Sequence, residues 1–276
     1  GDYLDFVDVE GTSGLTVTNI YTGFHHTCVI LDDGSLKCWG YNNYGQLGQG
    51  DTVARGDGAN EMGDYLDFVN VGTGRSVLDV STGSSHTCAV LDDFTMKCWS
   101  YNYYGQLGYG DTTTRGDGAS EMGDYLPVID LGTDMLPRSI HAGASHTCVV
   151  LDDNSMKCWG YNGKGQLGQG SIANLGDGAN EMGDNLPVID LGSGLSVQEC
   201  FDLAPTMAPT FDPTFSFDPT FNPTTPSPTF MPTLYFYPSY SCKSKFAGFY
   251  HTCAMFTDGT MKCWGYNYYG ALGQGS

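Results

Sequence analysis

Eight of the chain's ten cysteines fall in four pairs, each pair ten residues apart and set in nearly the same words. His26 to Gly40 reads HTCVILDDGSLKCWG, and the pattern returns from His86, His146 and His251. Thiols paired in this way can bridge, hold zinc or stay as buried thiols, and the spacing discriminates among them. If Asp32, Asp33 and Gly34 close a three-residue hairpin loop, Ile30 faces Leu36 and Cys28 faces Cys38. Opposed residues of an antiparallel pair hold their Cβ atoms roughly 4.5–5.5 Å apart, close to what a disulfide needs. Zinc ligand pairs usually lie about two to four residues apart, a poor match to this wider spacing. The spacing predicts four cystine-stapled hairpins: Cys28–Cys38, Cys88–Cys98, Cys148–Cys158 and Cys253–Cys263. Each closure stabilises by ~2–3 kcal/mol in the chain-entropy picture. An even number of regularly paired cysteines fits an oxidising compartment. The loop wants a residue tolerant of positive φ at its end. The repeats put Gly34, Phe94, Asn154 and Gly259 there, so Phe94 predicts a different turn in the second repeat.

His26, His86, His146 and His251 each stand two residues before a cysteine. Beside a nucleophile they would look catalytic. A residue at the same place in every repeat is better explained as building the repeat, by hydrogen bonding to the next strand. Trp39, Trp99, Trp159 and Trp264 share one slot and are expected in the core. The loops RGDGANEMGD (55–64), RGDGASEMGD (115–124) and LGDGANEMGD (175–184) gather oxygen donors. Asp57, Asn60, Glu61 and Asp64 have the chemistry to surround a hard cation such as Ca2+, although an acidic turn is often only a solvated one. Arg-Gly-Asp occurs at 55–57 and 115–117, while the third repeat has Leu175, as expected for a coincidence within a repeat. No paired catalytic carboxylates, nucleophile elbow or phosphate-cradling loop emerges, so no enzyme and no required cofactor is expected. The tyrosine-rich loops, such as YNYYGQLGYG (101–110), suit either stacking on sugars or assembly.

The elements that must position these residues are short. Thirty-nine glycines between β-branched and aromatic runs indicate an all-β chain. The cysteine pattern recurs every 60 residues, from Cys28 to Cys88 to Cys148, and then after 105 at Cys253. Each period offers three or four short strands, tight glycine turns and one long acidic connection. A single unit of this kind cannot bury its own apolar face, but stacked neighbours can. The chain carries 31 acidic and 11 basic residues, a formal charge of −20. That argues against a nucleic-acid partner and against an anionic membrane surface. No apolar run is long enough to span a bilayer. With no initiator Met and repeats running to both ends, the sequence is expected to be a mature product or a fragment.

The extra length falls between Val197 and Cys242, where nine of the twelve prolines lie. This gives three regions: 1–197 with three repeats, 198–242 as a Thr/Pro-rich insertion bracketed by Cys200 and Cys242, and 243–276 with a fourth, incomplete repeat. Thr206, Thr210, Thr214, Thr220, Thr224, Thr229 and Thr233 mostly follow proline. Such text favours an extended polyproline-II-like rod and is typical of O-glycosylated stalks. It resembles cell-wall and matrix proteins. A plain linker and a peptide ligand are the other readings. Cys200 and Cys242 can pair within the chain, which is favoured, or between chains.

The pattern G-x-x-H-T-C-x-x-L-x-D-G-x-x-K-C-W-G-x-N-x-x-G-Q-L-G resembles the regulator of chromosome condensation repeat in a cysteine-containing, secreted-type variant. The resemblance covers the chain apart from roughly 198–242. It implies a β-propeller with four-stranded blades of about 60 residues, usually seven to a ring, which four hairpins alone do not complete. Nuclear members of the family act as exchange factors or bind chromatin, a poor fit to a cystine-rich chain at −20. Rim binding is the portable feature. The expectation is therefore an extracellular or cell-surface structural protein. It would self-associate into a filament, appendage or matrix, with O-linked glycans on the Thr/Pro segment. The alternative is a secreted binding module that captures a protein or glycan through its rim.

Overall fold

A computed structural model describes residues 7–192, 197, 251–255 and 261–265. The chain divides into one unit of Gly1–Gln198 with Lys243–Ser276 and a second of Glu199–Cys242. The second unit, with Cys200, Cys242 and the seven threonines Thr206 to Thr233, lies outside the described residues.

Each repeat forms a small antiparallel sheet. In the first, β1 (Val17–Thr22), β2 (His26–Leu31) and β3 (Leu36–Gly40) lie in that order. The second repeats this with β4 (Val77–Thr82), β5 (His86–Leu91) and β6 (Met96–Ser100). The third has β7 (Pro137–Ala142), β8 (His146–Leu151) and β9 (Met156–Gly160). Of the fourth, β10 (His251–Met255) and β11 (Met261–Gly265) are described. The hairpin register is the expected one, with Cys28 opposite Cys38, Cys88 opposite Cys98, Cys148 opposite Cys158 and Cys253 opposite Cys263. The first three pairs are disulfide-bonded, with Cα atoms 4.1, 4.0 and 4.1 Å apart. The side chains of Cys253 and Cys263 lie outside the described residues.

Two expectations change. Phe94 does not turn its hairpin differently. It takes φ 59°, beside φ 80° at Gly34 and 65° at Asn154, and all three amides donate to the carbonyl three residues back. Turn geometry imposed by the register overrides the side-chain preference. The blades are also not fully four-stranded. A fourth segment touches each sheet through one bridge only, at Gly40–Arg55, Ser100–Arg115 and Gly160–Leu175. The glycines that follow Arg55, Arg115 and Leu175 turn the chain away.

The core lies between sheets rather than within them. In β2, Cys28 and Ile30 face one side while Val29 and Leu31 face the other, and all four are buried. A strand buried on both faces is written as a continuous apolar run, which explains HTCVIL. The first side, with Leu36, Cys38 and Leu47, packs on Val69, Val80, Leu91 and Trp99 of the second repeat. The second repeat offers Cys88, Val90, Cys98 and Leu107 to Ile129, Ile140, Leu151 and Trp159 of the third in the same way. Each disulfide is therefore buried in a junction between blades.

Candidate functional site

The repeated polar residues meet at these junctions. His86 Nε2 lies 3.0 Å from Thr147 Oγ1, and Thr147 donates its hydroxyl hydrogen to the Gln106 carbonyl at 2.8 Å. The Trp159 indole N–H reaches the same carbonyl at 3.0 Å. The identical set joins the first and second blades: His26 to Thr87 at 2.8 Å, Thr87 to the Gln46 carbonyl at 2.9 Å, and Trp99 to that carbonyl at 3.2 Å. It recurs once more with His146, Thr252, Trp264 and the Gln166 carbonyl, at 2.9, 3.0 and 2.9 Å. Thr147 has one hydrogen and spends it on Gln106, so His86 must donate from Nε2 and is neutral in that tautomer. Among the described residues, the buried Nδ1 atoms of His26 and His86 have no hydrogen-bond partner. A second proton would put a charge where nothing accepts it. Burial, with His25 adding for one ring and His146 and His26 for the other, pushes His26 down to about 4 and His86 to about 3. These rings are structural clamps, as a repeat-building position implies, and their partner is the threonine that directly follows the next histidine.

Three lysines form a second repeated device that the sequence reading missed. Lys97 Nζ donates to the Val71 and Gly123 carbonyls at 3.0 and 2.7 Å. Lys37 does so to Val9 and Gly63, and Lys157 to Leu131 and Gly183. Each buried ammonium ties the end of the acidic loop that follows its blade to the segment that leads into that same blade. The signal was the lysine of K-C-W recurring at 60-residue spacing between apolar neighbours. Asn42, Asn102 and Asn162 are a third device. Their side chains accept from the amides of Leu47, Leu107 and Leu167 and donate across the loop that follows.

The acidic loops are organised from within. Glu61 Oε2 accepts the amides of Gly56, Asp57 and Gly58 at 2.9, 3.0 and 2.7 Å, and these donors hold its carboxyl below the usual range. Glu121 and Glu181 repeat the arrangement. Asp64 Oδ1 accepts from the amide and hydroxyl of Thr12, as Asp124 does from Thr73 and Asp184 from Thr133. Asn60 takes φ 61°. The four oxygen donors Asp57, Asn60, Glu61 and Asp64 thus share a loop, while Glu61 and Asp64 turn to different backbone partners. Among the described residues, no three His, Cys, Asp or Glu side chains gather as a metal site. The arginine of each Arg-Gly-Asp is engaged at home: Arg55 pairs with Asp51 through contacts of 2.9 and 2.7 Å, and Arg115 with Asp111 likewise.

Two further clusters cross blades. Asp79 accepts Tyr21 Oη at 3.0 Å, the Val80 amide at 2.9 Å and the Ile140 amide at 3.4 Å, so one carboxylate touches three blades. Burial pushes its carboxyl up to about 6 against the opposing pull of those donors. On the surface, ring contacts run without a break from Tyr44 to Tyr101, Tyr103, Tyr104 and Tyr161, with centroids 4.8, 6.3, 5.0 and 4.8 Å apart. Tyr103 is 65% exposed. The strip presents amphipathic rings that combine an apolar face with a polar hydroxyl.

A row of cystine-bridged sheets that bury their faces on one another defines a propeller-type repeat protein. The chain is an RCC1-type β-propeller repeat protein. The profile described as "Regulator of chromosome condensation (RCC1) repeat" matches residues 17–46, 77–106, 138–166 and 246–271. The Arabidopsis thaliana ultraviolet-B receptor UVR8 is 27% identical over 165 residues, covering 59% of this chain and 33% of the receptor. The human E3 ubiquitin-protein ligase HERC2 is 24% identical over 167 residues, covering 59% of this chain and 3% of the ligase. Among solved structures, yeast RCC1 (Prp20) bound to Kap60 superposes with a TM-score of 0.59 at 16% identity, covering 97% of this chain and 47% of the other. Human WBSCR16 gives 0.57 at 16% identity, with 95% and 51% covered. At these identities the structures share the fold. The chain spans a third or less of these two curated relatives and about half of the solved chains.

Proposed function

We infer that the chain is a subunit of an extracellular filament, surface appendage or matrix, its blades joined by an O-glycosylated Thr/Pro segment. An RCC1-like repeat propeller is a general protein-binding scaffold, and self-association is the form of binding proposed for this one. The observation that carries the reading is the disulfide in each of the first three blades. Bonds buried in the junctions Cys28–Cys38, Cys88–Cys98 and Cys148–Cys158 belong to an oxidising compartment. The formal charge of −20 supports a setting away from nucleic acid. The conserved geometry of the junctions, rather than any cluster of reactive groups, is what the repeats maintain, and the reading needs no catalysis, cofactor or bound ion. Among the described residues, no helix is long and apolar enough to cross a membrane. Electron microscopy of protein purified from its source tests the reading. Periodic fibres and hexose-bearing peptides spanning 205–233 are the expected result. Single particles of one-chain mass with unmodified peptides would overturn it.

A second reading is capture of a glycan or protein through the rim, and the tyrosine strip from Tyr44 to Tyr161 favours it. Tyr103→Ala, at the most exposed ring, would then abolish binding on a glycan array or in a pull-down without changing self-association.

A further inference from the structure

The loops that follow the first two hairpins carry two tyrosines three residues apart, in YNNYG (41–45) and YNYYG (101–105). Each loop is locked by its own glutamine. The Tyr44 amide donates to Gln46 Oε1 at 2.9 Å, and the Tyr104 amide to Gln106 Oε1 at 3.0 Å. The next residues, Gly45 and Gly105, take φ 80° and 75°. They press so closely on the following repeat that a Cβ on Gly45 would strike the Gly116 backbone, and one on Gly105 the Gly176 backbone. This approach sets the second tyrosine of one blade against the first tyrosine of the next. Tyr44 meets Tyr101 with centroids 4.8 Å apart and planes at 50°, and Tyr104 meets Tyr161 at 4.8 Å and 55°. The Tyr101 and Tyr161 amides are anchored alike, on the Ser85 and Ser145 carbonyls at 3.1 and 2.8 Å. Two junctions thus build the same pair of phenols. The third repeat writes Lys164 in the second slot.

These tyrosines differ from the ones with structural duties. Tyr21 and Tyr109 spend their hydroxyls on Asp79 and on the Cys98 carbonyl. Tyr44 is 40% exposed, and Tyr103, which touches both Tyr101 and Tyr104, is 65% exposed. The strip is open to an oxidant from solvent, while each cross-blade pair holds its ring carbons near van der Waals contact, ~3.5–4 Å. We propose that Tyr44–Tyr101 and Tyr104–Tyr161 are sites of oxidative cross-linking, each pair joined by a carbon–carbon bond between the ring positions beside the hydroxyls. The co-reactant is hydrogen peroxide, used by a haem peroxidase that acts as a one-electron oxidant. Each phenol loses one electron and its hydroxyl proton. The two radicals pair their electrons in the new bond, and the hydrogen on each joined carbon moves to the phenol oxygen. The two electrons and two protons removed reduce one peroxide to two waters. Neighbours already held in place react ahead of partners that must first meet, so the links form within one chain. The product staples blade to blade, where the disulfides staple each blade to itself. This goes beyond the self-association reading and does not depend on it.

The test is mild oxidation of the full, disulfide-bonded chain with a peroxidase and limiting hydrogen peroxide, at a protein concentration where chains seldom meet. Peptide mapping and the fluorescence of the linked phenols are the readouts. Tyr65 and Tyr125, 67% and 74% exposed, have no ring neighbour among the described residues and report on oxidation by exposure alone. The expected result is two links, Tyr44–Tyr101 and Tyr104–Tyr161, each at least about tenfold more abundant than any link through Tyr65 or Tyr125. Tyr44→Phe keeps the ring and removes the hydroxyl. It should abolish the first link and its share of the fluorescence while the second link forms as before, and Tyr104→Phe should do the reverse. Unfolding wild type in urea before oxidation should erase the preference for the two pairs. Links that follow exposure, with Tyr65 and Tyr125 joined between chains, would overturn the proposal. So would unchanged fluorescence in Tyr44→Phe and Tyr104→Phe, or a wild-type chain that yields no linked phenols.

Discussion

Replacing Thr147 by valine keeps the shape of the side chain and removes one oxygen from the third blade's junction. Two hydrogen bonds go with it. The Gln106 carbonyl loses its 2.8 Å donor but keeps Trp159 at 3.0 Å, a loss of about 1 kcal/mol. The His86 Nε2–H, fully buried, is left without an acceptor, which costs about 1–3 kcal/mol. The expected total is about 3 kcal/mol. Thr87→Val breaks the matching set around His26 and Gln46 and should cost the same within about 1 kcal/mol. Thr27→Val is the internal control. It occupies the matching strand position, but among the described residues its hydroxyl bonds no glutamine carbonyl as those of Thr87 and Thr147 do, and the change should lower stability by less than about 0.5 kcal/mol. Urea unfolding at low protein concentration, followed by tryptophan fluorescence, measures all three against wild type. Equal losses at Thr27 and Thr147, or no loss at Thr147, would refute the view that threonine acts between blades rather than within one.

Acid should loosen the junctions. His26 and His86 sit well below their unfolded value near 6.5, so between about 6.5 and 4 the unfolded chain takes up protons that the folded chain refuses, and stability falls as pH falls. Asp79, raised to about 6, works in the opposite direction over part of that range. Burial pushes His141 down to about 3 as well, and three rings against one carboxyl leave a net loss of roughly 2–3 kcal/mol per pH unit at its steepest, readable from urea midpoints at pH 7, 6 and 5. Asp79→Asn removes the burial penalty of the charged form while keeping an acceptor for Tyr21 and Val80. It should stabilise by about 1 kcal/mol at pH 8, with the difference from wild type gone by pH 5. Phe94→Asn gives the left-handed turn the residue already used at Asn154 and should raise stability by about 1 kcal/mol in the same assay.

The hairpins were legible because a disulfide and a tight turn act over ten residues. Cys28 opposite Cys38 follows from the turn alone, and the structure has that register in every repeat. The stacking of blades was legible too, since apolar runs such as CVILD and CAVLD cannot be covered by the hairpin that carries them. What crossed between repeats was harder to read. His86 bonds Thr147, 61 residues away, and nothing in the local text of either residue names the other. Lys97 lies in LKCWG-type text whose period-two alternation would mark a solvent face, yet both faces of that strand are covered, and the ammonium ends on two carbonyls. Phe94 misled because local propensity was weighed without the register that surrounds it. In the acidic loops, composition could not separate carboxylates aimed at a cation from carboxylates aimed at their own amides. The direction of Glu61 is decided by Gly56, Asp57 and Gly58 together.

The account depends most on what the sulfur atoms at the junctions are doing in the protein as its source makes it. Peptide mapping without reduction, with free thiols blocked at harvest, measures this directly. The account predicts that Cys28, Cys88 and Cys148 each come out bonded to the cysteine ten residues on, with no alkylated thiol at any of the six positions. Recovery of those cysteines as blocked thiols, or bonded across repeats, would contradict both the stapled blade and the extracellular setting built on it.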